Sequence, residues 1–460
     1  MLSIPLAPST ERSPRPLKVL MLGWEFPPHI SGGLGTACQG ICEGLAQAGV
    51  EVTFVVPRLL GGEQASRTRV IGAHQVTQPQ DSRPFRPRPA MLSLPLAPYA
   101  TDRPQGHLPA GAPGGTAMRS ILVDSLLSPY QSASSYALAH QAWQGSNPHQ
   151  GFKGGYGAHL FDEIERYAKV VEELARQETF DLVHGHDWMT APAAMAAAKA
   201  SQRPLVMHAH ALETDRSGEF PDRRIEALER QGLVSADRTI CVSEVTRAQV
   251  EQQYKVPANR LRVVHNAVTH KARRPAPTLP ANSSGPVVLF LGRVTMQKGP
   301  EYFLRAAAKA LESRADITFI VSGSGDMLAD MIELSATLGL SKNVHFTGFL
   351  RGAEVSRMYA QADLYVMPSV SEPFGIAPLE AMSHGVPVIV SKQAGVSEVV
   401  DHALKVDFWD TDELANKILA TLSYPALKGM LADEGRNEAL AMDWGKRGES
   451  LRQIYAEVVA

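Results

Sequence analysis

The chain has 460 residues, with 45 Lys or Arg set against 47 Asp or Glu for a formal net charge of -2. That length exceeds what one hydrophobic core ordinarily serves, so two domains are expected. Near-neutrality excludes a global electrostatic footprint for nucleic acid or an anionic membrane surface, and the three cysteines, Cys38, Cys42 and Cys241, have no metal-binding spacing and fit a reducing, cytoplasmic setting.

The opening MLSIPLAPSTERSPRP, residues 1–16, lacks a basic leader and reads as a loose tail. No apolar stretch reaches the roughly 18 residues needed to span a bilayer. From Leu17 short apolar runs alternate with helix-compatible sequence, the pattern of a parallel sheet covered by helices on both faces. LKVLMLG, VEVTFVVP, DLVHGH, PLVMHAH, RTICVS and LRVVHNAV are the strands expected of a first Rossmann-like domain over residues 17–270. A Pro-rich insertion at about 61–157 interrupts it, expected to be largely surface loop with room for a short hairpin or helix. Residues 271–285, rich in proline and small polar residues, suit an exposed linker. A second Rossmann-like series occupies 286–440 with PVVLFLGR, ITFIVSG, NVHFTGF, LYVMPS and VPVIVS. The last segment, 441–460, has helical spacing with Leu451, Ile454 and Val458 on one face and is expected to pack back on the first domain.

Three stretches carry chemistry. Gly32, Gly33 and Gly35 stand where the first strand turns into a helix, so backbone N–H groups there can approach an anion or a sugar closely. A tight turn needing positive φ explains the same glycines equally well. LGRVTMQKG places Arg293 at the end of a strand and Lys298 just before a helix, where two cations can neutralise a departing diphosphate without a metal. Taken alone, the pair reads as solvated loop residues. SEPFGIAPLEAMSHG carries Glu372 in a loop and Glu380 in the following helix, eight positions apart. Both carboxylates can face a cleft and accept sugar hydroxyls, while the amides of Gly375 and Ile376 can meet an anion at the helix start. The bland alternative is that these acids cap the helix.

SEPFGIAPLE resembles the E-x7-E motif of retaining GT-B glycosyltransferases, LGRVTMQKG their donor-phosphate motif, and EFPPHISGGLGTA their N-terminal glycine loop. VHGHDWMTAPAA and PLVMHAHALETDRSGE further resemble the bacterial and archaeal members similar to glycogen or starch synthase, of the family 4 and 5 type. The resemblance implies an α/β GT-B architecture, two Rossmann-like domains facing across a cleft, and transfer of a sugar, glucose above all, from a nucleotide diphosphate to a glycan. It implies that Arg293 and Lys298 hold the diphosphate, Glu380 the ribose and Glu372 the transferred sugar. Gly33 would approach the diphosphate from the opposite domain, His210 would contact the donor sugar, and Asp187 would lie on the acceptor side. No cofactor beyond the donor, and no metal, is implied. KTGGL of the ADP-glucose enzymes is ISGGL here, with Ile30 and Ser31, which favours UDP-glucose while ADP-glucose stays possible.

His184, His186 and His208 read as structural residues: side chains alternate along a strand and the four histidines including His210 come from two strands, which argues against a zinc site. Rival functions are a transferase for exopolysaccharide, lipopolysaccharide or a small glycoside, and a nucleotide-sugar or glucan-binding protein without turnover. A nicotinamide dehydrogenase would need a dinucleotide glycine fingerprint that neither first strand carries.

Overall fold

The computed structural model describes residues 15–27, 33–57, 68–72, 118–122, 156–218, 220–269 and 285–460. Residues 1–14 of the tail expected over 1–16, the bulk of the insertion, and residues 271–284 of the linker expected over 271–285 lie outside the described residues, as does residue 270.

Two parallel sheets form. The first contains β1 Lys18–Leu22, β2 Glu51–Val56, β3 Thr68–Gly72, β4 Met118–Leu122, β5 Leu182–His186, β6 Leu205–Ala209, β7 Arg238–Cys241 and β8 Leu261–Val263, in the order β3-β4-β2-β1-β5-β6-β7-β8. The second contains β9 Val287–Leu291, β10 Thr318–Ser322, β11 Val344–Gly348, β12 Leu364–Met367, β13 Val388–Ser391 and β14 Leu404–Val406, in the order β11-β10-β9-β12-β13-β14. Helices on the first unit are α1 Gly33–Gln47, α2 Tyr156–Gln177, α3 Asp187–Ser201, α4 Glu213–Ser217, α5 Arg223–Ser235 and α6 Glu244–Tyr254. On the second they are α7 Pro300–Ser313, α8 Leu328–Thr337, α9 Ala353–Gln361, α10 Ile376–Ser383, α11 Thr411–Ser423 and α12 Pro425–Ala441, followed by α13 Trp444–Val459.

Central strands such as β5 and β12 are buried at every residue, as expected for parallel strands covered on both faces. Both sheets are doubly wound, and in each the chain reverses its direction of travel once. In the first sheet the reversal falls between β1 and β5, in the second between β9 and β12. Ligands of open α/β sheets bind outside the carboxyl ends of strands at such points, so topology alone nominates the segments after β1, β5, β9 and β12.

Among the described residues of the insertion, where a short hairpin or helix is expected, the two strands do not pair as a hairpin. β3 pairs in parallel with β4, and β4 in parallel with β2, so the segment widens the first sheet by two strands. A parallel pair cannot be closed by a tight turn and needs a crossover. Strand β14, absent from the sequence reading, pairs with β13 through three residues only.

Helix α13 follows the second unit in sequence but packs on α1 of the first. Trp444, Leu451, Ile454 and Tyr455 join one buried cluster with Ile41, Leu45, Val52 and Phe54. The crossing is close because Gly44 faces the backbone of Trp444 and Gly448: a Cβ on Gly44 would stand 2.0 Å from the Trp444 carbonyl oxygen. Glycine here serves backbone proximity rather than an unusual φ.

Candidate active site

The residues expected to hold the donor surround the second switch point. Arg293 follows β9, and its guanidinium donates to Gln297 Oε1 at 2.8 Å. Lys298 ends a short 3-10 turn, Met296–Lys298, whose next residue, Gly299, takes φ 63° before α7 begins at Pro300. Across the switch point, Glu372 follows β12 and is 7% exposed; its carboxylate accepts a hydrogen bond from Lys298 Nζ. A lysine and a glutamate 74 positions apart are thus brought together by the adjacency of β9 and β12.

Gly375 makes the corner between the Glu372 loop and α10. Its φ of 96° is a conformation that L side chains rarely adopt, and a Cβ would stand 3.0 Å from Met367 Cε and 3.1 Å from Glu372 Cγ. Ile376, the first residue of α10, is half-buried and packs against core clusters of both units. Glu380, on the second turn of α10, accepts a hydrogen bond from the buried Tyr359 hydroxyl at 3.1 Å. Glu372 and Glu380 therefore have different settings, one paired with a cation and one oriented by a phenol.

On the facing unit, Gly33 opens α1, while Gly32 lies outside the described residues. Gly35 N–H donates to Glu25 Oε1 at 2.9 Å, and Glu25 is 5% exposed. The sequence leaves a ligand and a tight turn equally open for these glycines, and here a buried carboxylate of the chain itself occupies the Gly35 amide.

Asp187 begins α3 at φ 58°, a left-handed conformation costly for a non-glycine residue. The turn aims its Oδ1 at the backbone N–H of His210, 2.6 Å away, and of Ala211, 3.3 Å away. Burial pushes its carboxyl up to about 6 against the pull of Arg216 and these two amides. Asp187 and His210, expected on different sides of the reaction, are thus directly bonded, and Asp187 holds the backbone that carries His210.

Alternation does not separate the histidines. His184 and His186 share one face of β5, the register sets His186 opposite His208 on β6, and His210 continues that face beyond the strand. Ring centroids of His208 and His210 lie 4.2 Å apart, and those of His184 and His186 4.4 Å apart. His186 Nδ1 meets His210 Nε2 at 2.8 Å, and His184 Nδ1 meets the Tyr455 hydroxyl of α13 at 2.6 Å. Burial lowers His184 and His210 to about 3 and holds His186 and His208 well below the usual imidazole range, so all four rings are neutral at pH 7.

Contacts between the two units were not legible as such in the sequence. Ser371, immediately before Glu372, donates its hydroxyl to Asp215 Oδ1 of α4 at 2.6 Å. Asp215 is 2% exposed and also accepts the Leu212 N–H at 2.7 Å, capping its own short helix. At a second point Glu398 accepts the N–H groups of Glu244 and Val245 at the start of α6, each at 2.9 Å. Beside α4, Glu229 lies 3% exposed among Arg216, Tyr254 and the Glu213 amide. Asp215 and Ser371 both fall inside stretches already singled out, ETDRSGE and SEPFG; what was missing was the partner of each.

Comparison with known proteins agrees with this architecture. Residues 276–438 match the family described as glycosyl transferases group 1, residues 150–271 glycosyltransferase family 4, and residues 18–91 the starch synthase catalytic domain. An uncharacterised glycosyltransferase of Methanocaldococcus jannaschii is 27% identical over 402 residues, covering 84% of this chain and 83% of that protein. A D-inositol 3-phosphate glycosyltransferase of Salinispora arenicola is 30% identical over 312 residues, covering 61% of this chain and 69% of that protein. Among solved structures, a sucrose-phosphate synthase of Thermosynechococcus elongatus superposes with a TM-score of 0.66 at 20% identity, covering 96% of this chain and 98% of that one. Anabaena HepE, in complex with UDP and glucose, gives a TM-score of 0.63 at 17% identity, covering 96% and 99%. Among the described residues, no helix is long and apolar enough to cross a membrane.

Proposed function

Because the chain belongs to the GT-B glycosyltransferases carrying a group 1 domain, we propose that it is a retaining glucosyltransferase that takes glucose from UDP-glucose and elongates an α-glucan. The observation that carries this reading is the cluster at the second switch point: Arg293 and Lys298 after β9, facing Glu372 and the Gly375 corner after β12. Cations at the carboxyl end of a parallel strand suit a diphosphate leaving group, and an adjacent buried carboxylate suits sugar hydroxyls. Lys298 reaches Glu372 in this structure, so one ammonium can answer both the diphosphate and the carboxylate beside the sugar.

In this mechanism Arg293 and Lys298 stabilise the negative charge that grows on the diphosphate as the anomeric C–O bond breaks. The acceptor hydroxyl enters from the same face and passes its proton to the leaving phosphate oxygen, so configuration is retained. Glu380 holds the ribose with its carboxylate oriented by Tyr359. His210 contacts the sugar from the facing unit, its backbone fixed by Asp187. No metal is used. UDP is favoured over ADP by Ile30 and Ser31 before the double glycine, and the Anabaena neighbour is named with UDP-glucose. A second reading, transfer to a small phosphorylated polyol, draws on the D-inositol 3-phosphate relatives.

The test is release of nucleoside diphosphate from UDP-glucose and ADP-glucose, each with malto-oligosaccharides, with D-inositol 3-phosphate, or with no acceptor. Arg293→Ala and Lys298→Ala serve as controls. Lengthening of the oligosaccharide with UDP-glucose, lost in both variants, is the expected result. Release only with the phosphorylated polyol selects the second reading, and no release from a folded protein removes both.

A further inference from the structure

The described histidines of β5 and β6 make a group that the transfer reaction does not use. His184, His186 and His208 are fully buried, and one ring nitrogen from each lies within 4.8 Å of the others. Nε2 of His184, Nε2 of His186 and both ring nitrogens of His208 have no hydrogen-bond partner. A buried polar atom left unpaired is costly, and here three neighbouring rings carry such atoms, one of the rings in contact with Tyr455 of α13.

We propose that His184, His186 and His208 form a binding site for a borderline divalent transition-metal ion, with Zn2+ the natural occupant. Imidazole nitrogens are the ligands such ions prefer, and neutral rings present a lone pair without first losing a proton. The outer contacts are those a ligating histidine needs. His184 directs Nδ1 to Tyr455 and His186 directs Nδ1 to His210, which leaves Nε2 of both rings buried and without a partner. An Nδ1–H donated outward fixes the tautomer whose Nε2 carries the lone pair. Three nitrogens about 2.0–2.1 Å from a tetrahedral ion stand roughly 3.4 Å apart, so closing the observed spread moves each by less than about 1 Å. Imidazole rotation about χ1 and χ2 supplies a movement of that size while β5 and β6 stay in register. The ion's place is structural as well as chemical: through Tyr455 and His210 it ties α13 to the sheet beneath the cleft.

The experiment strips the untagged full chain with a chelator, adds Zn2+ alone, desalts and counts retained metal. Co2+ loading in parallel gives the visible d–d absorption of a tetrahedral site. One retained equivalent and that absorption are expected in the wild type and in His345→Gln, an exposed-histidine control. Both should be lost in His208→Gln, and Tyr455→Phe should weaken affinity about 10- to 100-fold through the outer contact of His184. Should His208→Gln fail to fold, NMR of the Co2+-loaded wild type decides: three exchangeable hyperfine-shifted imidazole N–H signals are expected. Absence of those signals, no retained metal, or retention unchanged in a folded His208→Gln each overturns the site.

Discussion

Replacing Lys298 with Met tests both the packing and the chemistry of the proposed donor site. Methionine keeps most of the stem and removes the ammonium. Glu372, whose side chain is 9% exposed, then loses the cation it contacts, while Lys298 itself is 19% exposed. Removing one partner of a buried pair costs about 3–5 kcal/mol, and the partial exposure of Lys298 places this case near the lower figure, about 3 kcal/mol. Adding Glu372→Gln removes the stranded charge, so the double variant should recover about 2 kcal/mol of that loss in urea unfolding. Activity should behave differently. Loss of a group that stabilises developing negative charge lowers turnover about 100- to 1,000-fold, and Glu372→Gln cannot restore a positive charge. Stability regained without activity is therefore the expected signature, read by urea titration alongside diphosphate release. A double variant that recovers turnover as well as stability would refute the reasoning, because Lys298 would then serve only to neutralise Glu372.

Two further outcomes concern the protein's stability. Burial raises the Glu229 carboxyl from 4.5 to about 7, outweighing Arg216, Tyr254 and the Glu213 amide. A raised folded-state pKa gives stability that is complete below the unfolded value and lost as pH rises through the folded one, here between about pH 4.5 and 7. Relative to Glu229→Gln, the wild type should lose about 3 kcal/mol over that window, and parallel pH profiles of urea midpoints for the two proteins would show the assignment wrong. Gly44→Ala puts a Cβ 2.0 Å from the Trp444 carbonyl oxygen and should cost about 3 kcal/mol by forcing α1 and α13 apart. Gly429→Ala, on α12 with nothing within 4 Å of the new methyl, should instead stabilise by about 0.5–1 kcal/mol, and equal midpoints for the two variants would remove the helix-crossing argument.

Sequence alone determined the doubly wound pattern of both units, because a parallel strand buried on both faces shows itself as a short apolar run and a covering helix as a longer amphipathic one. It also placed Arg293, Lys298, Glu372 and Glu380 on the loops and helix after β9 and β12, since motif, strand end and helix start all lie within a few consecutive residues. Strands β3, β4 and β14 escaped: two sit inside a stretch dominated by loop-forming residues, and the third is three residues long. Their place comes from pairing with a neighbour rather than from local pattern. The same limit applies to the site. That Lys298 meets Glu372, that Ser371 meets Asp215 and that Asp187 supports His210 are facts of strand order and turn geometry across 23 to 156 positions of sequence. The imidazole cluster shows the point most sharply. Alternation along each strand was visible from the sequence, but only the register of β5 against β6 decided that two alternating pairs would fall on one face and form a single buried group.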